Sequence, residues 1–384
     1  MKRLVLLGST GSIGRSTLEV VDQNPREYEV VGLAAGLNYD LLAEQAKRYQ
    51  PKIVSFGREE DAERFRKEAG SVGMDLVWGK KGAERIGGYP DADIVLSAIT
   101  GIAGLRPTLA ALKAGRTVAL ANKESMVVAG ALFQSVMAQT GAVIIPVDSE
   151  HSGVFQCLAK EPKTHVEKVI LTASGGPFFR SSFEEMKSKS LEEALNHPRW
   201  RMGKKVTIDS ATMMNKGLEL IEARWLFGLE PEQLDILVHP QSIVHSLVEM
   251  KDGSVLAQLS QTDMKIPIQY AMTYPDRGEP LLSRLDLTEI RKLEFYAVDE
   301  QKFPVIKLAR TALREGGSLP VCLNAANEAA VGAFLHKTIG FLEIYEIVKA
   351  VMDRHRKSTP ESLEEIFEVN RESKSMALDI IKKR

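Results

Sequence analysis

Two spacings of apolar residues alternate along residues 1–148. Amphipathic segments such as 39–49 and 58–68 have an apolar residue every three or four positions, which predicts helices. Because strands that alternate with helices form a parallel sheet, the region is predicted to be a Rossmann-like, doubly wound α/β domain. Between the helices, short apolar runs predict buried strands at residues 3–8, 29–38, 52–56, 75–78, 92–98, 117–121 and 142–147.

The spacing changes after residue 148. Strands are predicted at 168–172, 235–248 and 255–259, with a helix of about four turns that starts at Asp209. A Pro- and Asp-rich connector follows, and from Pro304 onward the pattern is helical throughout. These features predict a second α/β domain and a C-terminal helical bundle after the Rossmann-like domain. The expected limits are 1–148, 149–275, a linker at 276–299, and 300–384.

The composition excludes several classes of function. The chain has 384 residues, of which 44% are hydrophobic and 26% charged, and its net charge of −1 provides no broad positive field for nucleic acid or an acidic membrane. The first apolar run ends at Gly8, too early for a signal peptide, and the longest uncharged run, 94–105, is shorter than the roughly 20 residues of a membrane span. Cys157 and Cys322 form neither a disulfide framework nor a metal spacing, so a cytoplasmic protein with no membrane or nucleic-acid partner is expected.

A glycine-rich turn follows the first predicted strand and leads into a helix. It reads Gly8-Ser-Thr-Gly11-Ser-Ile-Gly14. Glycines in such a turn let backbone N–H groups approach a pyrophosphate at the helix N-terminus. The spacing is GxxGxxG and differs from the usual GxGxxG, but strand, glycine turn and helix follow in the order that dinucleotide binding requires. The turn is therefore interpreted as a dinucleotide-binding site rather than a tight turn without a ligand.

The end of the second predicted strand bears on which dinucleotide is bound. NAD-binding domains usually place Asp or Glu there to hold the ribose 2′-hydroxyl, and residues 29–38 end without an acid. This absence favours NADP. The sequence Gly36-Leu37-Asn38 also lacks a positive charge for a 2′-phosphate, so the amide of Asn38 and the side chain of Arg58 are the candidates.

Two carboxylates follow the last predicted strand of the first domain. In extended chain, residues two apart point to the same side, which would bring Asp148 and Glu150 together. Like charges so placed repel unless a cation lies between them, and oxygen ligands with only His151 nearby favour Mg²⁺ or Mn²⁺ over zinc. The alternative is an Asp N-cap and a solvated Glu at the start of a helix from Ser152. The local spacing does not decide between the two.

The segment from Asp209 to Glu219 combines helix-capping residues with a polar patch. Asp209 and Ser210 are typical N-caps, and Asn215, Lys216 and Glu219 lie three or four positions apart on the helix that would follow. An amide, an ammonium and a carboxylate beside free N–H groups suit a phosphate cradle and a metal ligand. The alternative is an amphipathic helix with a solvated Lys–Glu pair.

Two shorter segments leave similar alternatives. Ser174-Gly-Gly-Pro is either a turn that wraps a phosphate or a plain β-turn. Asn122-Lys123-Glu124 follows a predicted strand and is either an ordinary helix N-terminus or a ligand contact. A lysine at that position opposes the helix dipole, which favours the ligand contact.

A basic loop is predicted at 196–205. It carries Trp200 and Met202 among basic side chains, while Pro198 and Gly203 prevent a regular helix. An aromatic residue on a basic loop is more typical of a lid that closes on an anionic ligand than of a packed loop.

Together these motifs resemble one family over essentially the whole chain, the 1-deoxy-D-xylulose 5-phosphate reductoisomerases, which are NADPH enzymes of the non-mevalonate isoprenoid pathway. Leu37 departs from the lysine or arginine that the family often has at this position. The resemblance implies NADPH and one divalent cation, Mn²⁺ or Mg²⁺ with Co²⁺ as a further candidate. It also implies a homodimer, with 149–275 as the catalytic, metal-binding and dimerisation domain. It rests on Gly8–Gly14, Ala121-Asn-Lys-Glu-Ser125, Asp148-Ser-Glu-His151, Asn196-His-Pro-Arg-Trp-Arg-Met-Gly203 and Asp209–Glu219.

The resemblance also implies roles for individual residues. The cation would be bound by Asp148, Glu150 and Glu219. The cofactor contacts would be Thr10, Gly11, Ser12, Ile13, Gly36, Asn38, Asn122, Glu124 and Gly203. The catalytic set, which contacts the sugar phosphate or closes over it, would be Lys123, Ser149, Glu150, His151, Ser174, His197, Trp200, Met202, Ser210, Asn215, Lys216 and Glu219.

The implied reaction has two parts. 1-Deoxy-D-xylulose 5-phosphate rearranges, in the family by retro-aldol and aldol steps, to 2-C-methyl-D-erythrose 4-phosphate, which a hydride reduces to 2-C-methyl-D-erythritol 4-phosphate. A cation bound by three carboxylates suits this substrate because it can bind the ketone and a neighbouring hydroxyl together. Two other functions stay open. A metal-free dehydrogenase for another phosphorylated or acidic substrate would be unaffected by a chelator, and a nucleotide sensor would not need three convergent carboxylates.

Overall fold

The computed structural model describes residues 1–70 and 73–384. Its strands are β1 (Lys2–Leu7), β2 (Tyr28–Ala34), β3 (Ile53–Phe56), β4 (Asp75–Trp78), β5 (Ile94–Ser97), β6 (Thr117–Leu120), β7 (Val143–Pro146), β8 (Val166–Ala173), β9 (Leu234–Val238), β10 (Val244–Met250), β11 (Val255–Leu259) and β12 (Tyr296–Ala297).

The helices cover most of the remaining chain. They are α1 (Ser12–Gln23), α2 (Tyr39–Tyr49), α3 (Glu59–Ala69), α4 (Gly79–Gly87), α5 (Leu105–Lys113), α6 (Lys123–Thr140), α7 (Ser149–Cys157), α8 (Phe183–Lys187), α9 (Leu191–Leu195), α10 (Lys204–Thr212), α11 (Met214–Phe227), α12 (Lys265–Thr273), α13 (Leu287–Ile290), α14 (Val305–Glu315), α15 (Leu319–Leu335), α16 (Glu343–Arg354) and α17 (Leu363–Ile381).

The described residues divide into two compact units. The first comprises Met1–Ser125, Phe133–Ser152 and Asp263–Arg284, and the second comprises Met126–Leu132, Gly153–Thr262 and Leu285–Arg384. These units are defined by packing. The four functional regions expected from the sequence stay a prediction.

The first unit is built on a seven-stranded parallel sheet. The strand order is β4-β3-β2-β1-β5-β6-β7. The chain moves outward from β1 to β4 and then returns to the other side of β1, so the order reverses between β1 and β5. Ligands of open α/β sheets bind at the carboxyl ends of the strands where this reversal occurs. The predicted Rossmann-like sheet is confirmed, and the ends of β1 and β5 mark its ligand-binding edge.

The second unit contains a five-stranded mixed sheet in the order β11-β10-β8-β9-β12. β10 pairs antiparallel with β8 and β11, whereas β8 and β9 are parallel. The segment 235–248, predicted as strand, forms two strands with a turn between them. Pro240 lacks an N–H for the ladder and Ser242 adopts a positive φ of 54°, so the extended chain ends there.

The C-terminal part of the second unit is the predicted helical bundle, formed by α14 to α17. The alanine-rich α15 lies at its centre and packs against the other three helices. α14 ends at Glu315, and its C-cap is Gly316, whose φ of 63° favours glycine. Within residues 1–70 and 73–384, no helix is long and apolar enough to cross a membrane.

Two local predictions near the candidate site are wrong. The chain becomes helical at Ser149 rather than at Ser152, so Asp148 and Glu150 do not alternate along a strand. Asp209 lies inside α10 and is not a cap. The predicted four-turn helix exists as α11, but it begins only after Met213 adopts a left-handed backbone with φ 67°.

Candidate active site

The glycine turn joins β1 to α1 through two close backbone approaches. An added Cβ at Gly8, whose φ is 92°, would lie 2.7 Å from the carbonyl oxygen of Ala98, just after β5. A Cβ at Gly14 would lie 2.4 Å from the carbonyl oxygen of Gly8. Gly11 is the N-cap of α1, the helix has no side-chain cap, and its first turn contains no acid. The N-terminal N–H groups of α1 therefore suit a pyrophosphate, and Thr10 to Ile13 surround them.

The turn after β2 contains the next group of expected cofactor contacts. Asn38 caps α2, and its side-chain oxygen accepts a hydrogen bond from the backbone N–H of Leu41 at 3.3 Å. Leu37 is 86% exposed, which is unusual for a large apolar residue. An added Cβ at Gly36 would meet no atom within 4 Å, so the backbone of this turn is open to a ligand.

The side chain of Asn122 joins two strand ends at the ligand-binding edge of the first sheet. Its oxygen caps α6 by accepting from the Ser125 N–H at 2.7 Å. Its nitrogen donates to the carbonyl oxygens of Ile99 and of Gly101, the latter at 2.9 Å. Asn122 thus forms an ordinary helix N-terminus and also fixes the loop after β5, next to the buried Glu124.

Lys123 pairs with the first of the expected metal ligands. Its ammonium lies 2.8 Å from Oδ2 of Asp148, and both side chains are largely buried. Burial strengthens a charge pair but also raises the cost of removing it from water. A lysine beside a carboxylate at the end of a strand suits a site that binds oxygen atoms of a substrate.

The acids after β7 gather at the start of α7. Oδ1 of Asp148 accepts from the Glu150 N–H at 3.2 Å and lies 3.2 Å from Nδ1 of the buried His151. The hydroxyl of Ser149 donates to the Glu150 carboxylate at 2.8 Å. The two alternatives from the sequence are therefore compatible, because Asp148 caps the helix and still lies beside a second acid. Carboxylate oxygens in this number fit Mg²⁺ or Mn²⁺.

In the second unit, the polar patch of α11 is buried. Asn215 and Lys216 each donate to one carboxylate oxygen of Glu219. Lys216 is 4% exposed and Glu219 is fully buried, so the alternative of a solvated Lys–Glu pair is wrong. Because buried ion pairs seldom add net stability, the burial of this pair does not by itself indicate a stabilising role.

Asp209 is held by two residues that sequence reasoning missed. Lys205 lies 2.8 Å from one carboxylate oxygen, and the side-chain amide of Asn327 donates to the other at 2.7 Å. The spacing from Lys205 to Asp209 is four residues, which is a local signal for a helical pair. Asn327 lies on α15 and has no local signal in the sequence.

The turn after β8 contains Ser174 and two glycines with positive φ. The hydroxyl of Ser174 lies 2.9 Å from Nε2 of His197 and accepts a hydrogen bond from the Gly176 N–H at 3.2 Å. An added Cβ at Gly176 would lie 2.5 Å from the carbonyl oxygen of Ser210. The structure thus brings the Ser174 turn to Ser210 and His197, three residues expected to contact the phosphate.

The basic loop has no regular structure before α10, as predicted. Nδ1 of His197 accepts from the backbone N–H of Arg199 at 3.1 Å and of Trp200 at 2.8 Å. The Trp200 ring lies 6.5 Å from the ring of His245. Burial lowers the pKa of His197 to about 4, so its ring is neutral at pH 7. Met202 is half-buried, and Gly203 is the N-cap of α10.

One further histidine and the two cysteines have structural roles. His239 is buried, stacks on Phe295 with 4.8 Å between ring centroids, and bonds through Nδ1 to the carbonyl oxygen of Glu294 at 2.8 Å. Cys322 is a buried free thiol and Cys157 a half-buried one, and burial raises the pKa of both to about 11.

The doubly wound sheet, its glycine turn and the acidic end of β7 define an oxidoreductase that uses a nicotinamide dinucleotide. Family models described as 1-deoxy-D-xylulose 5-phosphate reductoisomerase and its C-terminal domains match residues 4–130, 144–227 and 259–376. The chain belongs to the 1-deoxy-D-xylulose 5-phosphate reductoisomerase family.

Relatives with this name align along the full chain. The protein of Pelotomaculum thermopropionicum is 48% identical over 383 residues, which cover 100% of this chain and 99% of the relative. That of Prosthecochloris aestuarii is 50% identical over 377 residues, which cover 98% and 99%.

Solved structures agree with this assignment. The reductoisomerase of Zymomonas mobilis in complex with NADPH has a TM-score of 0.94 and 42% identity, with 100% of both chains covered. A DOX-P reductoisomerase in complex with NADPH, fosmidomycin and magnesium has a TM-score of 0.95 and 40% identity, with 100% of this chain and 98% of that chain covered.

Proposed function

We propose that this protein isomerises 1-deoxy-D-xylulose 5-phosphate and reduces the product to 2-C-methyl-D-erythritol 4-phosphate, with NADPH and a divalent cation, in the synthesis of isoprenoid precursors. The observation that carries the proposal is the buried Asn215–Lys216–Glu219 patch, in a chain that matches the reductoisomerase family over its whole length.

NADPH fits the residues of the first unit. The N-cap of α1 is Gly11, which offers no side-chain cap, and the turn after β2 carries no acid to repel a 2′-phosphate. Bound NADPH supplies the hydride. We assign its contacts to Thr10, Gly11, Ser12, Ile13, Gly36, Asn38, Asn122, Glu124 and Gly203.

A divalent cation fits the oxygen donors that the acids supply. We assign it to Asp148, Glu150 and Glu219, with Mg²⁺ or Mn²⁺ preferred and Co²⁺ as a further candidate. Support comes from the carboxylates gathered after β7, from the burial of Glu219, and from magnesium in the related structures. The bound cation polarises the ketone and acidifies the neighbouring hydroxyl.

The remaining catalytic residues bind and orient the substrate in this proposal. The hydroxyl of Ser174 accepts hydrogen bonds from the Gly176 N–H and from the protonated Nε2 of neutral His197, so its own proton is directed outward to a phosphate oxygen. We also assign phosphate or hydroxyl contacts to Ser210, Asn215 and Lys216, the last two of which donate to Glu219 in the structure. Because the phosphate does not react, its binding energy can serve to position the reacting carbons.

Contacts to the reacting end of the sugar come from the residues around the acids after β7. We assign them to Lys123, Ser149 and Glu150, with His151 supporting Asp148 from within the core. Trp200 and Met202 cover the substrate and exclude water, which strengthens the polar contacts beneath them.

One assay tests the function and its two alternatives. NADPH absorbance is followed with 1-deoxy-D-xylulose 5-phosphate, with Mn²⁺ or Mg²⁺ and after chelation. We expect oxidation of NADPH that depends on both the sugar phosphate and the metal. Turnover that persists in the chelator would favour a metal-free dehydrogenase, and NADPH binding without turnover would favour a nucleotide sensor.

We also propose that the protein is a cytoplasmic homodimer. β11 is an edge strand of the second sheet, and its Val255 and Leu256 are 53% and 37% exposed. Exposed apolar edge strands tend to pair with another chain. The functional regions would be 1–148 for NADPH, 149–275 for metal binding, catalysis and dimerisation, 276–299 as a linker, and 300–384 as the helical bundle.

A further inference from the structure

The turns after β2 and β3 are in direct backbone contact. An added Cβ at Gly57 would lie 2.0 Å from the carbonyl oxygen of Gly36 and 3.1 Å from its Cα. No side chain larger than hydrogen fits there. Because the next residue, Arg58, is the N-cap of α3, this contact places the backbone of Arg58 close to the turn at which such sheets receive the ribose of a dinucleotide.

The turn after β2 supplies no cation of its own. It consists of Gly36, the exposed Leu37, and Asn38, whose side-chain oxygen already caps α2. The first turn of α2 adds only an acid, Asp40. A 2′-phosphate at this position therefore needs a positive side chain from another element.

The guanidinium of Arg58 is held by Asp61, three residues further along the chain. Its Nε and Nη2 donate to the two carboxylate oxygens of Asp61 at 2.9 Å and 3.0 Å, and the side chain of Asp61 is largely buried. An arginine has five N–H donors in a planar fork, and this pairing uses two of them. The remaining three suit a phosphate, which arginine binds in bidentate fashion.

The charges at the start of α3 mean that Arg58 would have to bind the phosphate by direct contact. Arg58 is followed by the acids Glu59, Glu60 and Asp61 in the first turn of the helix. These acids cancel any diffuse positive field around the turn, so attraction of a phosphate depends on close hydrogen bonds from the guanidinium itself.

We propose that Arg58 binds the 2′-phosphate of NADPH and sets the preference for NADPH over NADH, in a chain that has leucine at position 37. This inference rests on the proposed function, since it concerns the cofactor of that reaction. Arg58 is thus a cofactor-specificity residue carried by the turn after β3.

The test compares Arg58→Gln with Arg66→Gln, which removes the same charge from the exposed far end of α3. Dissociation constants of NADPH and NADH are measured by nicotinamide fluorescence, and those of 2′,5′-ADP and 5′-AMP by calorimetry. Arg58→Gln should weaken NADPH and 2′,5′-ADP about tenfold or more, because a charged hydrogen-bond network is lost. NADH and 5′-AMP should bind as before, and Arg66→Gln should match the wild type.

Two further variants complete the design. Leu37→Arg in the Arg58→Gln background should restore most of the NADPH affinity, because it supplies a guanidinium from the turn after β2, which contacts the turn after β3. Arg58→Lys retains the positive charge but lacks the planar guanidinium, so its NADPH affinity should fall between those of wild type and Arg58→Gln. This variant also tests the proposal if Arg58→Gln fails to fold.

The outcomes separate the competing explanations. Unchanged NADPH affinity in Arg58→Gln would overturn the proposal, since the 2′-phosphate would then be held elsewhere. Equal weakening of NADPH and NADH would also overturn it and would indicate stacking of Arg58 on the adenine ring. Failure of the wild-type protein to bind either dinucleotide would instead contradict the proposed function.

Discussion

Nε2 of His197 lies 2.9 Å from the hydroxyl oxygen of Ser174, while Nδ1 of the same ring accepts two backbone N–H groups. The acceptor role of Nδ1 places the ring proton on Nε2, so the neutral ring donates to Ser174. A second proton would have no acceptor at Nδ1. The loop geometry and burial both oppose protonation of His197.

The pH dependence of stability should report this tautomer. The pKa of His197 is lowered from 6.5 to about 4 by burial, so between these values the unfolded chain binds a proton that the folded chain excludes. The contribution of His197 to stability is therefore complete above pH 6.5 and is lost as the pH falls toward 4. Denaturant unfolding from pH 7 to 4.5 should show a smaller loss of stability for His197→Gln than for wild type, and NMR titration should place the ring pKa near 4. A ring that titrates near 6.5 would contradict this account.

Glu219→Gln should abolish metal-dependent turnover while NADPH still binds. The substitution keeps the shape of the side chain but removes a negative ligand, and loss of a ligand should lower activity at least about a hundredfold. Steady-state rates measure turnover, a metal titration measures cation binding, and fluorescence measures NADPH binding. Glu232→Gln, an exposed residue of the same unit, is the control. A near-normal rate in Glu219→Gln would refute the assigned metal role.

Trp200→Ala should raise the KM for the sugar phosphate more than it changes NADPH binding. The indole is carried by a loop anchored at His197, and its removal uncovers the substrate without altering the turn after β1. Kinetics over a range of substrate concentrations test the lid. Protection of residues 196–203 from proteolysis is a second measurement of its closure. Trp78→Ala, at the end of β4, is the matched control. Identical kinetics in Trp200→Ala and wild type would contradict the proposal that Trp200 belongs to a lid.

Leu256→Lys should convert the proposed dimer to a monomer. A lysine on edge strand β11 places a charge where a second strand would pair, which disfavours association. Light scattering coupled to size-exclusion chromatography measures the mass. Leu287→Lys adds the same charge at another exposed leucine, outside the sheets, and should leave the mass unchanged. A dimeric Leu256→Lys variant would assign the interface to another surface.

Much of the fold could be predicted because its signals are local. Each strand of the parallel sheet is a short apolar run, and the helix at 39–49 has the predicted ends. The strand order could not be predicted in this way, since it depends on contacts such as that between Gly8 and Ala98. The turn between β9 and β10 was missed because two apolar runs flank only a short polar interruption.

In the candidate site, features that depend on local sequence were predicted, whereas features that depend on distant residues were not. The Asn215–Lys216–Glu219 patch follows from helical spacing and was predicted, but its burial was not, because burial depends on the surrounding helices. Asp209 was predicted as a cap because it is a good capping residue. Its actual partners, Lys205 and Asn327, hold it inside α10, and one of them lies far away in the sequence.

The hydrogen bond between Asn327 and Asp209 has a consequence for the last third of the chain. It links α15, at the centre of the C-terminal bundle, to α10, the helix that carries Ser210, which we propose contacts the phosphate. A shortened protein ending before α14 would leave Asp209 without its amide partner on α15 and would remove this support from α10. A substitution at Asn327 would therefore act on α10 from a helix that lies far away in the sequence.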